Sequence, residues 1–292
     1  MRGILVVDKP SGWTSFDVIA KLRGALGTRK LGHSGTLDPM ATGVLPVFVG
    51  AASKAVDLQE NHDKTYRAAV RFGLATDTGD ITGNPVRQKE CTVTRQELES
   101  VLPSFLGEQS QVPPMYSAVK VGGVPLYKLA RQGKEVERKA RTIRVYSLTC
   151  LEELGPNEFL LEASCSKGTY IRTLLEDIGA ALDCPATMTA LRRTAAGVYT
   201  QEQSHSLEEI LELAGQGRAE ELLLDLETVF AHLPLLRVNP GVEAHLRNGC
   251  PTSHYKAQDG RYRVQDQEGN FLGTARVTGG VLNVEKLFVE RA

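Results

Sequence analysis

The chain has 292 residues, 41% of them hydrophobic, and a formal net charge of −1, a length that predicts one large domain or two unequal ones at about 150 residues per domain. Its longest apolar stretch, Gly43 to Ala52, contains Pro46 and is far shorter than the ~18 residues of a membrane span, while Ile4 to Val7 is too short a run for a secretion signal. The five cysteines lie at least 15 residues apart and form no C-x-x-C pair, which argues against a zinc knuckle or a disulfide framework and predicts a soluble, cytoplasmic, reduced chain.

Ile4 to Val7 reads as a short strand running into the turn cluster Asp8-Lys9-Pro10-Ser11-Gly12. Thr14 with Asp17 has capping-box spacing, Val18, Ile19, Leu22 and Leu26 follow on one helical face, and Gly27 closes that helix. Val44 to Val49 is a second apolar strand. Lys64 to Phe72 alternates Tyr66, Ala68, Val70 and Phe72 against Arg67 and Arg71, the pattern of a half-buried strand. Thr94 with Glu97 caps a helix that carries Leu98, Val101, Leu102 and Phe105 inward. Residues 111–142 are rich in Pro, Gly, Lys and Arg, with one helical patch at Leu126 to Arg131. Ile143 to Leu151 and Glu158 to Cys165 predict a strand pair across the Gly155-Pro156-Asn157 turn, and Ile171 to Leu182 a helix.

Further on, residues 201–230 hold eight acidic residues and only Arg218 as a base, arranged as two short amphipathic helices, the first capped by Ser206 with Glu209. After Pro234 the pattern turns to strands at Arg261 to Gln265, Phe271 to Val277 and Val281 to Val289. That shift divides the chain into residues 1–232 and a small all-β module, 233–292. Charge is divided too. Residues 1–150 hold 21 Lys+Arg against 14 Asp+Glu, whereas the rest is acidic. Eight bases against two acids fall in residues 120–144, a flexible basic segment suited to phosphates.

The densest chemical signal is the run from Gly32 to Gly43, which includes His33, Asp38 and Pro39. Pro39 disfavours a helical conformation at Asp38, and the flanking glycines allow close approach of a ligand or another backbone. A carboxylate displayed on such a loop suits a nucleophile or a general base. Thr76-Asp77-Thr78-Gly79-Asp80 lacks the ligand register of a calcium loop, so no metal is assigned.

The Gly32–Gly43 run resembles the signature of the TruB family of pseudouridine synthases. Further segments match that family in order: Lys9-Pro10-Ser11-Gly12 with Thr14-Ser15, Lys64-Thr65-Tyr66, Thr76 to Asp80, Gln111 to Ala118, Ser166 to Arg172, and Leu191-Arg192-Arg193. The resemblance covers residues 1–232. It implies an α+β catalytic domain with a mixed, mainly antiparallel central sheet flanked by helices. The module at 233–292 is similar to PUA-type RNA-binding domains. The implied activity is conversion of uridine 55 in the T-loop of tRNA to pseudouridine: the C1′–N1 bond breaks, the base turns, and C5 is joined to C1′. No cofactor is implied, no protein partner, and a monomer is expected.

The resemblance also assigns roles. Asp38 acts as nucleophile or base, and Arg172 is the cation that keeps it ionised, holding the carboxylate bidentately. Tyr66 lies against the base and is the candidate for taking the C5 proton. Tyr170 and Leu191 line the uracil pocket, His33 touches the RNA loop, and Lys9 and Lys64 contact phosphate or support the structure. Residues 111–142 become a mobile basic clamp over the RNA stem-loop. Two other readings stand beside this one. A non-catalytic RNA binder needs no assembled Asp38, Tyr66 and Arg172, and a carboxylate-based nucleoside hydrolase would release free uracil.

Overall fold

The computed structural model describes residues 1–289. Its main sheet is mixed and mainly antiparallel. Gly3–Lys9 runs antiparallel to Thr42–Val49, which lies parallel to Ala186–Ala196; then follow Lys64–Phe72, Glu158–Cys165, Arg141–Gly155 and Gly107–Gln111, all antiparallel. The predicted sheet class is therefore met. Helices Ser15–Ala25 and Ile171–Ala181 cover parts of the sheet. Val18, Ile19 and Leu22 of the first pack on Leu5, Val7, Leu45 and Val47, while Leu174, Leu175 and Ile178 of the second pack on Val70, Phe159 and Met188. No described helix is long and apolar enough to cross a membrane.

The local signals work as expected at several ends. Thr14 and Asp17 form a complete capping box, as do Thr94 and Glu97, so backbone donors left over at each helix start are satisfied. The Lys64–Phe72 strand has the predicted ends and Glu158–Cys165 likewise. Ala186–Ala196 was not foreseen, although it is a central strand, with Thr42–Val49 on one side and Lys64–Phe72 on the other. Its sequence, Ala-Thr-Met-Thr-Ala-Leu-Arg-Arg-Thr-Ala-Ala, mixes small and charged residues with few apolar ones. Tertiary pairing overrides that weak local pattern.

Other expectations need correction. Only one α-helix forms in residues 201–230, Leu207–Gly215; the second predicted helix is replaced by 3₁₀ turns at Ala219–Leu222 and Leu226–Phe230. The C-terminal module holds a four-stranded sheet, but also the helix Pro240–Arg247, capped by Asn239 and opened by Pro240. Cys91 and Cys184 are joined as a disulfide, with Cα atoms 6.2 Å apart, against the expectation of reduced cysteines. Their separation of 93 residues hides the proximity from any spacing argument.

The C-terminal sheet does not stand apart. Phe271 stacks on Phe230 and on Phe288 at centroid distances of 5.5 and 5.8 Å, Phe288 lies tilted 5.5 Å from Phe230, and this aromatic group joins Ile4, Val6, Val44 and Phe48 in one apolar cluster.

Candidate active site

The loop that carries Asp38 is pinned from three directions. The Leu37 amide donates to Ser15 Oγ at 2.9 Å, and the Gly12 amide donates to the Pro39 carbonyl at 2.9 Å. Lys9 Nζ donates to the carbonyls of Pro10, Trp13 and Pro39 at 2.9, 2.6 and 3.1 Å. These three bonds use the three protons of an ammonium group, and Lys9 is fully buried. It anchors the loop, the structural one of its two expected roles. Burial draws its pKa down to about 8, against the attraction of Asp38. The loop returns to the sheet at Gly43, where φ is +100° and a Cβ would stand 2.2 Å from the Arg193 carbonyl oxygen, so only glycine fits.

Arg172 lies at the start of helix Ile171–Ala181 and is 5% exposed. Its Nε contacts Asp38 Oδ2 at 3.0 Å. The guanidinium does not grip the carboxylate with two nitrogens as expected. Its other two are committed, Nη1 to the Thr78 carbonyl and Nη2 to the Tyr116 carbonyl, both at 2.8 Å. Asp80 adds a second carboxylate at 3.9 Å from Nε and is itself held by Thr78 and Thr82. Burial pushes the Asp38 carboxyl above its ordinary value; the Arg172 charge opposes this and Asp80 reinforces it. The result is a carboxylate that is costly to keep ionised, supported chiefly by the rigid Arg172 cation and more weakly by Lys9.

Around this pair is a cavity of about 720 Å³, lined by His33, Lys64, Tyr66, Tyr170 and Leu191 together with Asp38 and Arg172. Seven of the eight sequence-predicted site residues thus meet in one place, and Lys9 sits behind them. Tyr66 is 7% exposed, and burial raises its phenol above the ordinary value, opposed by the charge of Arg193. His33 is pulled down, first by burial and then by Arg193. Lys64 falls to about 8 for the same reasons in the same order, and its Nζ donates to the His62 carbonyl. The Tyr170 backbone is fixed by Gln111, whose Oε1 accepts from the Tyr170 amide at 2.8 Å and whose Nε2 donates to its carbonyl at 3.1 Å.

A carboxylate, an arginine and two tyrosines in a cavity large enough for a nucleoside fit the expected chemistry. Two family models span this frame: the N-terminal domain of TruB family pseudouridylate synthase matches residues 23–171, and the tRNA pseudouridylate synthase B C-terminal domain matches 172–231. The chain belongs to the TruB family of pseudouridylate synthases. It is 43% identical to tRNA pseudouridine synthase B of Pseudomonas aeruginosa over 282 residues, covering 95% of this chain and 92% of that protein. With the protein of the same name from Shouchella clausii it shares 40% over 296 residues, covering 98% of each. Among solved structures, one titled as a Cbf5-Nop10-Gar1 complex superposes with a TM-score of 0.72 at 26% identity, over 99% of this chain and 85% of that one. The expectation of an RNA-uridine isomerase is met by this membership.

Sequence reasoning gave no role to Asp80, Gln111 or Arg193. Asp80, Gln111 and Arg193 all lie inside segments that carry the TruB resemblance, so the signal was present. Their partners were not: Asp80 meets Arg172, Gln111 meets Tyr170 and Arg193 pairs with Tyr66 across sequence separations of 92, 59 and 127 residues.

Proposed function

We propose that this TruB family member converts uridine 55 in the T-loop of tRNA to pseudouridine. The carrying observation is the Asp38–Arg172 ion pair at 3.0 Å, set in a cavity that also receives Tyr66 and Tyr170. A uridine within a folded loop cannot present its ribose to Asp38 while stacked, so the nucleotide turns outward into the cavity, at a cost of a few kcal/mol. Asp38 then acts at the ribose as nucleophile or base, the C1′–N1 bond breaks, and the detached uracil turns to offer C5. Tyr66 takes the C5 proton. Tyr170 and Leu191 line the pocket on the side of the ring away from Tyr66, while His33 and Lys64 meet the RNA at the mouth.

Residues 111–142 close over the stem-loop, and the module from 233 onward extends the RNA surface as a PUA-like domain. The reading is of a monomer working in the cytoplasm without a cofactor; the names of relatives that share nearly the whole chain support tRNA as the substrate. The test uses an unmodified tRNA transcript and chemical mapping of pseudouridine. Modification confined to position 55, and lost when that uridine is replaced by cytidine, supports the assignment. Modification elsewhere, or release of free uracil, contradicts it.

A further inference from the structure

One buried cation in the cavity wall has no task so far. Arg193 is 0% exposed. Its Nε donates to the Val44 carbonyl at 2.7 Å and its Nη2 to the Gly35 carbonyl at 3.0 Å. Neither bond supplies a counter-charge. Nη1 is buried with no hydrogen-bond partner, a condition that costs free energy until an acceptor is present. On the sheet, Arg193 is the direct antiparallel partner of Tyr66. Side chains so paired project from one face with Cβ atoms about 4.5–5.5 Å apart, and both residues line the cavity with Asp38.

We infer that Arg193 is a positioning residue for the final proton transfer, donating from Nη1 to the Tyr66 oxygen while that oxygen carries negative charge. The inference rests on Tyr66 as the group that handles the C5 proton. Pseudouridine formation requires one proton to leave C5 and one to reach N1. The Tyr66 hydroxyl gives its proton to N1 of the detached uracil, whose negative charge is thereby neutralised, and becomes a phenolate. C5 then bonds to C1′ as the C1′–O bond to Asp38 breaks and frees that carboxylate or, where Asp38 acted as a base, as the proton it holds returns to C2′; the phenolate then takes the C5 proton. The electron pair of the broken C–H bond restores the C5–C6 double bond, and Tyr66 ends as it began. No other reactant is consumed.

The phenolate formed between the two transfers is the anion that Nη1 awaits. The other groups that act on Tyr66 do not serve this purpose. Cys165, from the neighbouring strand, and Asp38, from the loop, both disfavour a negative charge there. A donor already aimed at the place where charge develops needs no rearrangement during the reaction.

Arg193 also ties two carbonyls together, so the experiment must separate chemistry from architecture. Single-turnover conversion of tRNA transcripts containing uridine or 5-deuterouridine is measured for the unaltered enzyme, Arg193→Lys and Arg193→Met, each with tyrosine or a more acidic fluorotyrosine at position 66. Loss of a charge-stabilising donor is expected to slow conversion on the order of 10²-fold and to enlarge the deuterium effect. Fluorotyrosine should recover much of that loss. Should Arg193→Met not fold, Arg193→Lys carries the same comparison. Slower variants with an unchanged isotope effect and no recovery would overturn the role of Arg193 alone, provided fluorotyrosine alters the unaltered enzyme. If fluorotyrosine changes neither rate nor isotope effect there, the role of Tyr66 falls as well.

Discussion

Arg172 Nε stands 3.0 Å from Asp38 Oδ2, while both terminal nitrogens of the same guanidinium hold backbone carbonyls, those of Thr78 and Tyr116. The cation is therefore located by the fold before any substrate arrives, and it brings one N–H, in a fixed direction, to the carboxylate.

Arg172→Lys should expose this dependence. A lysine is a point charge without a planar fork, so it cannot satisfy the two carbonyls and Asp38 together. The expected result is a fall in kcat on the order of 10²-fold, with tRNA affinity changed little and stability lower by about 1–3 kcal/mol from the orphaned carbonyls. Single-turnover rates and denaturant melts of the same preparation check both parts.

The pH dependence should respond to the two neighbours of Asp38 in opposite directions. On the proposed role of the Asp38 carboxylate, activity is lost as pH falls through its pKa, which burial places above the ordinary value of about 3.9. Asp80→Asn removes a negative neighbour, lowers that pKa and moves the acid limb to lower pH. Arg172→Gln removes the supporting charge and moves the limb to higher pH. Rate–pH profiles of residual activity test the signs, and limbs moving together would contradict the electrostatic account.

Lys9→Met should act at a distance from the substrate. The variant frees the carbonyls of Pro10, Trp13 and Pro39, two of which flank the site's loops. Hydrogen bonds from a charged group contribute about 1.5–3 kcal/mol each, so a clear drop in melting temperature is expected. Because Pro39 follows Asp38 directly, kcat should fall further than tRNA affinity, as binding and single-turnover assays would register.

The basic segment gives a prediction about salt. Neutralising Arg131, Lys134, Arg138 and Arg141 should weaken tRNA binding and flatten the plot of log affinity against log salt, by about one unit of slope for each phosphate that is no longer neutralised. Arg138 also bonds the Pro113 carbonyl and Glu135, so single variants are needed beside the combined one. An unchanged slope would remove this segment from the RNA interface.

Much of this was legible in the sequence where a local rule applied. Pro39 after Asp38, the Thr14 and Thr94 caps, and the alternation around Tyr66 each state their structure within a few residues. The resemblance gathered Asp38, Tyr66 and Arg172 in advance, although their arrangement lies beyond any local pattern. What escaped has one physical origin, contact between distant segments. Ala186–Ala196 becomes a strand because two others pair with it. Arg172 loses its bidentate grip because Thr78 and Tyr116 claim its remaining nitrogens. Lys9 looks like a free base in sequence, and only the folded loop shows its protons taken.

The central claim, that the Asp38 carboxylate drives the isomerisation, is tested most directly by tritium release from an unmodified tRNA transcript carrying 5-tritiated uridine. The unaltered enzyme should release tritium with pseudouridine formed in equal amount. Asp38→Asn, which keeps the side chain's size, should release none while binding the transcript with comparable affinity. Release by Asp38→Asn at a rate near that of the unaltered enzyme would contradict the account.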